Sequence, residues 1–235
     1  MEMFSWYLNH QQYYIMDIFA STSRGNGLDL PNHHLMPSAF ITELVDAALC
    51  KDNKRRLRNS GGTNFIYIIG GLPDTTTKIT DYRYRYQEVI FCDSPTKKYQ
   101  EIVSTYLDAN YAIRSVGAIP VFSTITTMNL NDWNCHRYFQ RKTSYLIHSP
   151  YYDDMQYNLN ATLEIVNRQI FEINNGNLVE TPHFANSVTT KRGEGQGFRV
   201  RYSRLADGVH PVDDVIQEWR TSLRWVASVN RERHS

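Results

Sequence analysis

The chain has 235 residues, 41% hydrophobic and 21% charged, with a formal net charge of +1 at neutral pH. That length suits one large domain with a substantial core, and the balance excludes a disordered chain. It also excludes a whole-molecule field that would commit the protein to nucleic acid or to an acidic membrane.

In chain order, Tyr13 to Phe19 (YYIMDIF) has the length and composition of a buried strand. Ser38 to Cys50 follows a helical period that places Phe40, Leu44, Ala47 and Ala48 on one face. Lys51 to Arg58 (KDNKRRLR) reads as the solvated end of that helix, where cations are favourable. Phe65 to Ile69 (FIYII) is a second strand. Asp81 to Gln87 alternates Tyr and Arg with period two, as an exposed strand does, and Glu88 to Cys92 (EVIFC) is a further strand candidate. Ser94-Pro95 opens a helix running to about Ser115, with Ile102, Tyr106 and Ile113 recurring inward. Ile119 to Ile125 (IPVFSTI) is another strand. The clearest amphipathic helix spans Asp153 to Asn174, with Met155, Leu159, Leu163, Val166, Ile170 and Ile173 on its apolar side. Leu178 to Phe184 is a fifth strand candidate. Lys191 to Gly197 (KRGEGQG) reads as a mobile surface loop, because no Lys-Ser/Thr pair follows its glycines. A last helix runs from Pro211 to Val229, with Val215, Trp219, Leu223 and Val226 on one stripe.

Strands alternating with helices of this length predict a three-layer α/β/α fold. Its sheet is mainly parallel, about five-stranded and flavodoxin-like. Residues 1–235 read as a single domain, with 1–12 as an N-terminal extension and 230–235 as a tail. No run of about 18 apolar residues occurs, so no membrane span is expected. The start, Met1-Glu2-Met3-Phe4, lacks the basic and apolar regions of a signal peptide, and an intracellular location, cytoplasmic or nuclear, is expected. Cys50, Cys92 and Cys135 are far apart and read as reduced thiols.

Ligands of such sheets bind beyond the carboxyl ends of the strands. There the most suggestive run is Asp207-Gly208-Val209-His210-Pro211. An Asp three residues before a His can orient the imidazole and stabilise the imidazolium formed when the His acts as a base. The run resembles the last block of the SGNH (GDSL-like) hydrolases, a family of α/β esterases and lipases. The resemblance implies a nucleophile just after the first strand, where Ser21 stands after Phe19-Ala20 instead of Gly-Asp. It implies oxyanion donors at Ser38, in the place of a Gly, and at Gly71 in Gly71-Leu72-Pro73-Asp74, where Pro73 replaces the family's Asn. Proline offers neither a side-chain nor a backbone donor, and one lost oxyanion donor costs about 10²–10³ in turnover. The activity implied is acyl-ester hydrolysis through Ser21, His210 and Asp207, with turnover reduced by the degraded blocks and with no cofactor or metal.

Other readings stand beside this one. A catalytically inactive SGNH fold used for interaction, of the kind found in mobile elements and viruses, accounts for Pro73. Arg83 and Arg85, interleaved with Tyr, have the chemistry of phosphate contact and base stacking, as does Lys51 to Arg58. Asp74, in the same block as Gly71, is a candidate oxyanion or substrate-binding residue and reads as a turn or helix-capping residue sooner than as a catalytic acid. His33-His34 suits either the pocket lining or a loop. Cys135-His136, His148 and His183 share no metal-ligand spacing and read as structural or exposed.

Overall fold

The computed structural model describes residues 15–20, 33–36, 39–60, 62–81, 86–91, 93–141, 152–191 and 198–235. In chain order the elements begin with β1 (Ile15–Ala20), β2 (His33–Leu35), α1 (Ile41–Ala48), α2 (Lys51–Asn59), β3 (Asn64–Ile69) and the short α3 (Leu72–Thr75). Next come β4 (Thr77–Asp81), β5 (Tyr86–Ile90), α4 (Pro95–Ser115), β6 (Ala118–Phe122), α5 (Leu130–Arg141) and α6 (Tyr152–Gly176). The chain closes with the short α7 (Phe184–Ser187), β7 (Thr189–Lys191), β8 (Phe198–Val200), a 3₁₀ turn at Tyr202–Arg204, and α8 (Asp213–Arg233).

Four strands form a parallel sheet in the order β2-β1-β3-β6. Successive strand side chains point to opposite faces, and in β3 both faces are buried. Ile66 and Ile68 meet the cluster built from α1, α4 and α6, including Leu44, Ile102, Ile113, Leu163 and Val166. Phe65 and Tyr67 face the other way, against Leu223 and Val226 of α8. This is the expected α/β arrangement with helices on both faces.

Several boundaries differ from the sequence reading, each for a local reason. The main sheet has four strands among the described residues, not about five. Tyr86–Ile90 pairs antiparallel with β4, so the EVIF run belongs to a hairpin instead. Leu178 to Phe184 is no strand: Leu178 adopts a left-handed φ of 59°, and Asn174 of α6 holds Thr181 by a side-chain bond. β6 ends at Phe122: the Thr124 N–H turns to the Pro182 carbonyl at 3.0 Å, and Asn167 of α6 brackets the Ile125 peptide. The helix of Ser38 to Cys50 buries Ile41, Leu44, Val45 and Ala48, whereas Phe40 is exposed at its N-cap. Lys51 opens a separate helix, α2, instead of ending α1. The last helix begins at Asp213, since Pro211 bridges back to Leu205. Helix α5 and the β7–β8 pair were not anticipated. Residues 192–197, the glycine-rich loop, lie outside the described residues, as do 1–12 and Cys92.

Candidate active site

The segment Leu205 to Pro211 is a tight loop closed on itself. Leu205 bridges Pro211, and the Ala206 N–H donates to the His210 carbonyl at 2.7 Å. Gly208 turns the loop with φ +86°, and a Cβ there would lie 2.7 Å from the Trp133 amide N and 2.8 Å from the Asn129 carbonyl O. Only glycine fits that approach and that φ. The loop aims one carboxylate at three donors. Asp207 Oδ1 accepts the backbone N–H groups of His210, at 2.8 Å, and of Val209, at 3.2 Å. Asp207 Oδ2 is left for His210 Nδ1, 2.6 Å away.

Asp207 is buried, which by itself raises the pKa of its carboxyl. The bonds from the His210 backbone and ring, the His210 charge and the Val209 N–H outweigh that and hold it below the ordinary value. Asp207 is therefore ionised at neutral pH and accepts only. A neutral His210 ring bonded this way donates from Nδ1 and presents the Nε2 lone pair that a general base needs. Sequence reasoning expected this pair, and the structure brings it together.

A wall of the site that sequence reasoning missed is built by α5. Its N-cap, Asn129, accepts the Asp132 N–H at 3.0 Å and donates its side-chain amide to Asp132 Oδ2 at 2.7 Å. The backbone N–H of Asn129 holds the Gly208 carbonyl at 2.7 Å, joining α5 to the Asp207 loop. Trp133 lies edge-on to the His210 ring, centroids 5.6 Å apart, and stacks on His136. His136 Nε2 is 3.9 Å from Asp207 Oδ2. An Asn-x-x-Asp cap before a helix was legible as a start signal and could have found α5.

A stripe of amide side chains along α6 fixes this wall. Asn174 brackets the Phe122 peptide, receiving its N–H at 3.0 Å and donating to its carbonyl at 2.7 Å. Seven residues earlier, Asn167 does the same for Ile125 at 2.6 and 2.9 Å. Seven residues earlier again, Asn160 accepts the Thr127 hydroxyl at 2.5 Å and donates to the Tyr202 hydroxyl at 3.1 Å. Gln156 completes the set, accepting the Leu130 N–H and donating to the Met128 carbonyl. The segment between β6 and α5 therefore runs as though beside an extra strand, ending at the Asn129 that grips Gly208.

The third block is partly seen. Gly71, at φ +104°, caps α3, and a Cβ there would lie 2.5 Å from the buried Tyr106 hydroxyl. Pro73 sits in the first turn of α3. Both Asp74 carboxylate oxygens face the Ile41 N–H at the start of α1, at 3.2 and 3.3 Å, which is a capping role. Burial raises the Asp74 pKa to about 6; the Ile41 N–H, its own N–H and Lys98 pull downward, and Glu43 adds to the rise. Ser21 and Ser38 lie outside the described residues, as do Arg83, Arg85 and His148. His33 and His34 fall in β2, not in a loop. His183 rests against Phe171 with ring centroids 4.9 Å apart. No group of three or more potential metal ligands comes together among the described residues. No described helix is long and apolar enough to cross a membrane.

Neither a family model nor a curated protein sequence matches the chain. Solved structures do. A proposed acylhydrolase from Bacteroides fragilis NCTC 9343 is 11% identical, with a TM-score of 0.52 over 93% of this chain and 88% of that one. The chain shares the α/β fold of that structure. Similar too are a proposed SGNH hydrolase from Slackia heliotrinireducens, 14% identical with a TM-score of 0.47 over 92% of this chain and 98% of that one, and TesA, 15% identical with a TM-score of 0.42 over 91% and 97%. At these identities the likeness is one of fold, and function rests on the site itself.

Proposed function

We propose that this protein hydrolyses an acyl ester of a small molecule, using His210 as general base and Asp207 as its orienting acid within one SGNH-like domain. The observation that carries the reading is the 2.6 Å contact between His210 Nδ1 and Asp207 Oδ2, on a loop that commits the other carboxylate oxygen to two backbone N–H groups. The loop is tied to the segment that leaves the carboxyl end of β6, the sheet edge at which β1 also ends in this parallel array. Ser21 follows directly on β1 and is the proposed nucleophile.

In that reaction His210 Nε2 takes the Ser21 hydroxyl proton as Oγ bonds to the ester carbonyl carbon. The carbonyl π electrons move to oxygen, and the backbone N–H groups of Ser38 and Gly71 steady the oxyanion. Collapse breaks the ester C–O bond, and His210 returns the proton to the departing alcohol. A water, deprotonated by His210, then adds to the acyl carbon; the bond to Ser21 Oγ breaks, His210 returns the proton to Oγ, and the acid is released. The sequence needs no redox partner. Asp74, already engaged at the start of α1, positions the third block and the start of α1 relative to each other.

A fluorophosphonate probe tests the reading. Wild-type protein is expected to be labelled at Ser21, and Ser21→Ala and His210→Ala are expected to abolish labelling. No labelling of a folded wild-type protein, with no turnover of short p-nitrophenyl esters, would overturn it.

One observation supports a second reading, an inactive fold kept for interaction: Pro73 stands in the first turn of α3 with no donor to offer. The two are separated by Pro73→Asn. If the protein is an enzyme limited by its oxyanion site, this change should raise turnover by about 10–10²-fold, within the span that one such donor is worth. A null result in both wild type and variant favours the interaction reading.

A further inference from the structure

We infer that α2 is a docking ridge for the phosphate backbone of a nucleic acid, separate from the Asp207–His210 site. Its sequence, Lys51-Asp52-Asn53-Lys54-Arg55-Arg56-Leu57-Arg58-Asn59, holds five cations and one acid. The chain as a whole is +1. The helix alone is +4, so everything outside it sums to −3. A net +4 over nine residues is thus a dense local charge on a nearly neutral chain.

The exposed face is a regular stripe. Lys51, Arg55 and Arg58 are exposed and stand at the i, i+4 and i+7 positions that share one side of a helix. They therefore recur about once per 5.4 Å turn, a repeat of the same order as successive phosphates along a strand. Asp52 meets Arg55 at 3.6 Å, but both side chains are more than three-quarters exposed, and such a pair contributes little.

Core packing does not explain the helix, since Leu57 is its one buried side chain. A nine-residue helix is marginal alone, so its presentation depends on ties at both ends. Asn53 donates to the Ala47 carbonyl of α1 at 3.1 Å, and Asn64 of β3 donates to the Leu57 carbonyl at 3.2 Å. The ridge is thus fixed to the body with its cations outward.

Its position is the amino end of β3, opposite the sheet edge that leads to Asp207 and His210. Helix α8 ends at the same place, where the His234 ring meets Phe65 edge-on at 5.4 Å. Arg231 and Arg233 in its last turn add positive charge there, with Arg233 paired to Glu180 at 2.9 Å. A bilayer surface is the less suitable occupant, because α2 exposes no apolar side chain to insert. A phosphate backbone needs only repeated cations on a rigid face.

The test is fluorescence polarisation of a short DNA duplex and of a single strand of the same length, with the full chain, across a salt series. Wild-type protein should bind at about 50 mM salt and lose affinity steeply as salt rises. The variant Lys51→Ala/Arg55→Ala/Arg58→Ala should lose affinity at least about tenfold and flatten the log–log salt slope by about 2–3, as three lost phosphate contacts require. A control removing three exposed cations elsewhere, Lys78→Ala/Lys97→Ala/Arg168→Ala, should bind as wild type. Circular dichroism and Tm verify that both variants fold. Equal binding by wild type and the α2 variant would overturn the inference. So would no binding by wild type, equal losses in both variants, or binding to phosphatidylserine vesicles but to neither nucleic acid. Probe labelling at Ser21 is scored separately, so this outcome is independent of the hydrolase reading.

Discussion

At the scale of single residues, two positions make sharp demands. Gly208 combines φ +86° with backbone atoms of Trp133 and Asn129 inside 3 Å of any Cβ. Gly208→Ala should therefore cost about 2–4 kcal/mol of stability, from left-handed strain and overpacking together, and should weaken probe labelling by displacing Asp207. Thermal melting and labelling rate measure the two effects, and an unchanged Tm would refute the packing argument. Asp74 gives a pH dependence with a definite sign. Its folded pKa of about 6 lies above the ordinary 3.8, so between pH 4 and 6 the folded state keeps a proton that the unfolded chain has released. The stability contributed by the protonated carboxyl is full below pH 4 and is lost as pH rises through 6. Asp74→Asn removes that loss while keeping an oxygen for the Ile41 N–H. Its stability relative to wild type should thus grow by about 1–3 kcal/mol between pH 4 and 6.5. Denaturant melts at several pH values check this, and a gap that does not change with pH would contradict it.

At the scale of elements, the amide stripe of α6 decides where the site wall stands. Hydrophobic periodicity correctly placed Leu159, Leu163, Val166 and Ile170 inward. It was blind to Asn160, Asn167 and Asn174, because polar residues on a helix ordinarily read as its solvent face. Here Asn174 brackets the peptide of Phe122, the last residue of β6, Asn167 brackets that of Ile125 beyond it, and Asn160 joins the Thr127 and Tyr202 hydroxyls. Asn174 is fully buried and makes three side-chain hydrogen bonds, two to the Phe122 peptide and one to the Thr181 hydroxyl. Asn174→Leu keeps the volume and removes the partners, and should cost about 2–4 kcal/mol. Chemical denaturation measures it; a cost below about 0.5 kcal/mol would show that the surroundings satisfy those groups otherwise.

At the scale of the whole molecule, stability should be graded across the layers. β3 is paired on both sides and covered on both faces, whereas α2 is held by one buried side chain and a few terminal bonds. Amide exchange should be slowest in β3 and far faster in α2, because local opening follows the contacts that must break. Comparable protection in the two would argue against the layer description. The grading also separates roles. The Asp207 loop is tied through Asn129 to α5 and the α6 stripe, while the cationic ridge lies at the far end of the sheet.

The amino-acid sequence by itself determined the α/β class, the inward faces of α4, α6 and α8, and the Asp207–His210 pair. All of these rest on short-range rules: periodicity, capping, and a three-residue spacing that one loop can close. Only the tertiary structure decided that EVIF joins a hairpin, that Leu178 to Phe184 is no strand, and that α5 walls the site. It also decided that Asp74 caps a helix 33 residues away. These depend on which distant group meets an unsatisfied peptide N–H or carbonyl, and no local pattern carries that information. The same reason explains Gly208: its dipeptide context marks a turn, but the Trp133 and Asn129 backbones that exclude a side chain come from another part of the chain.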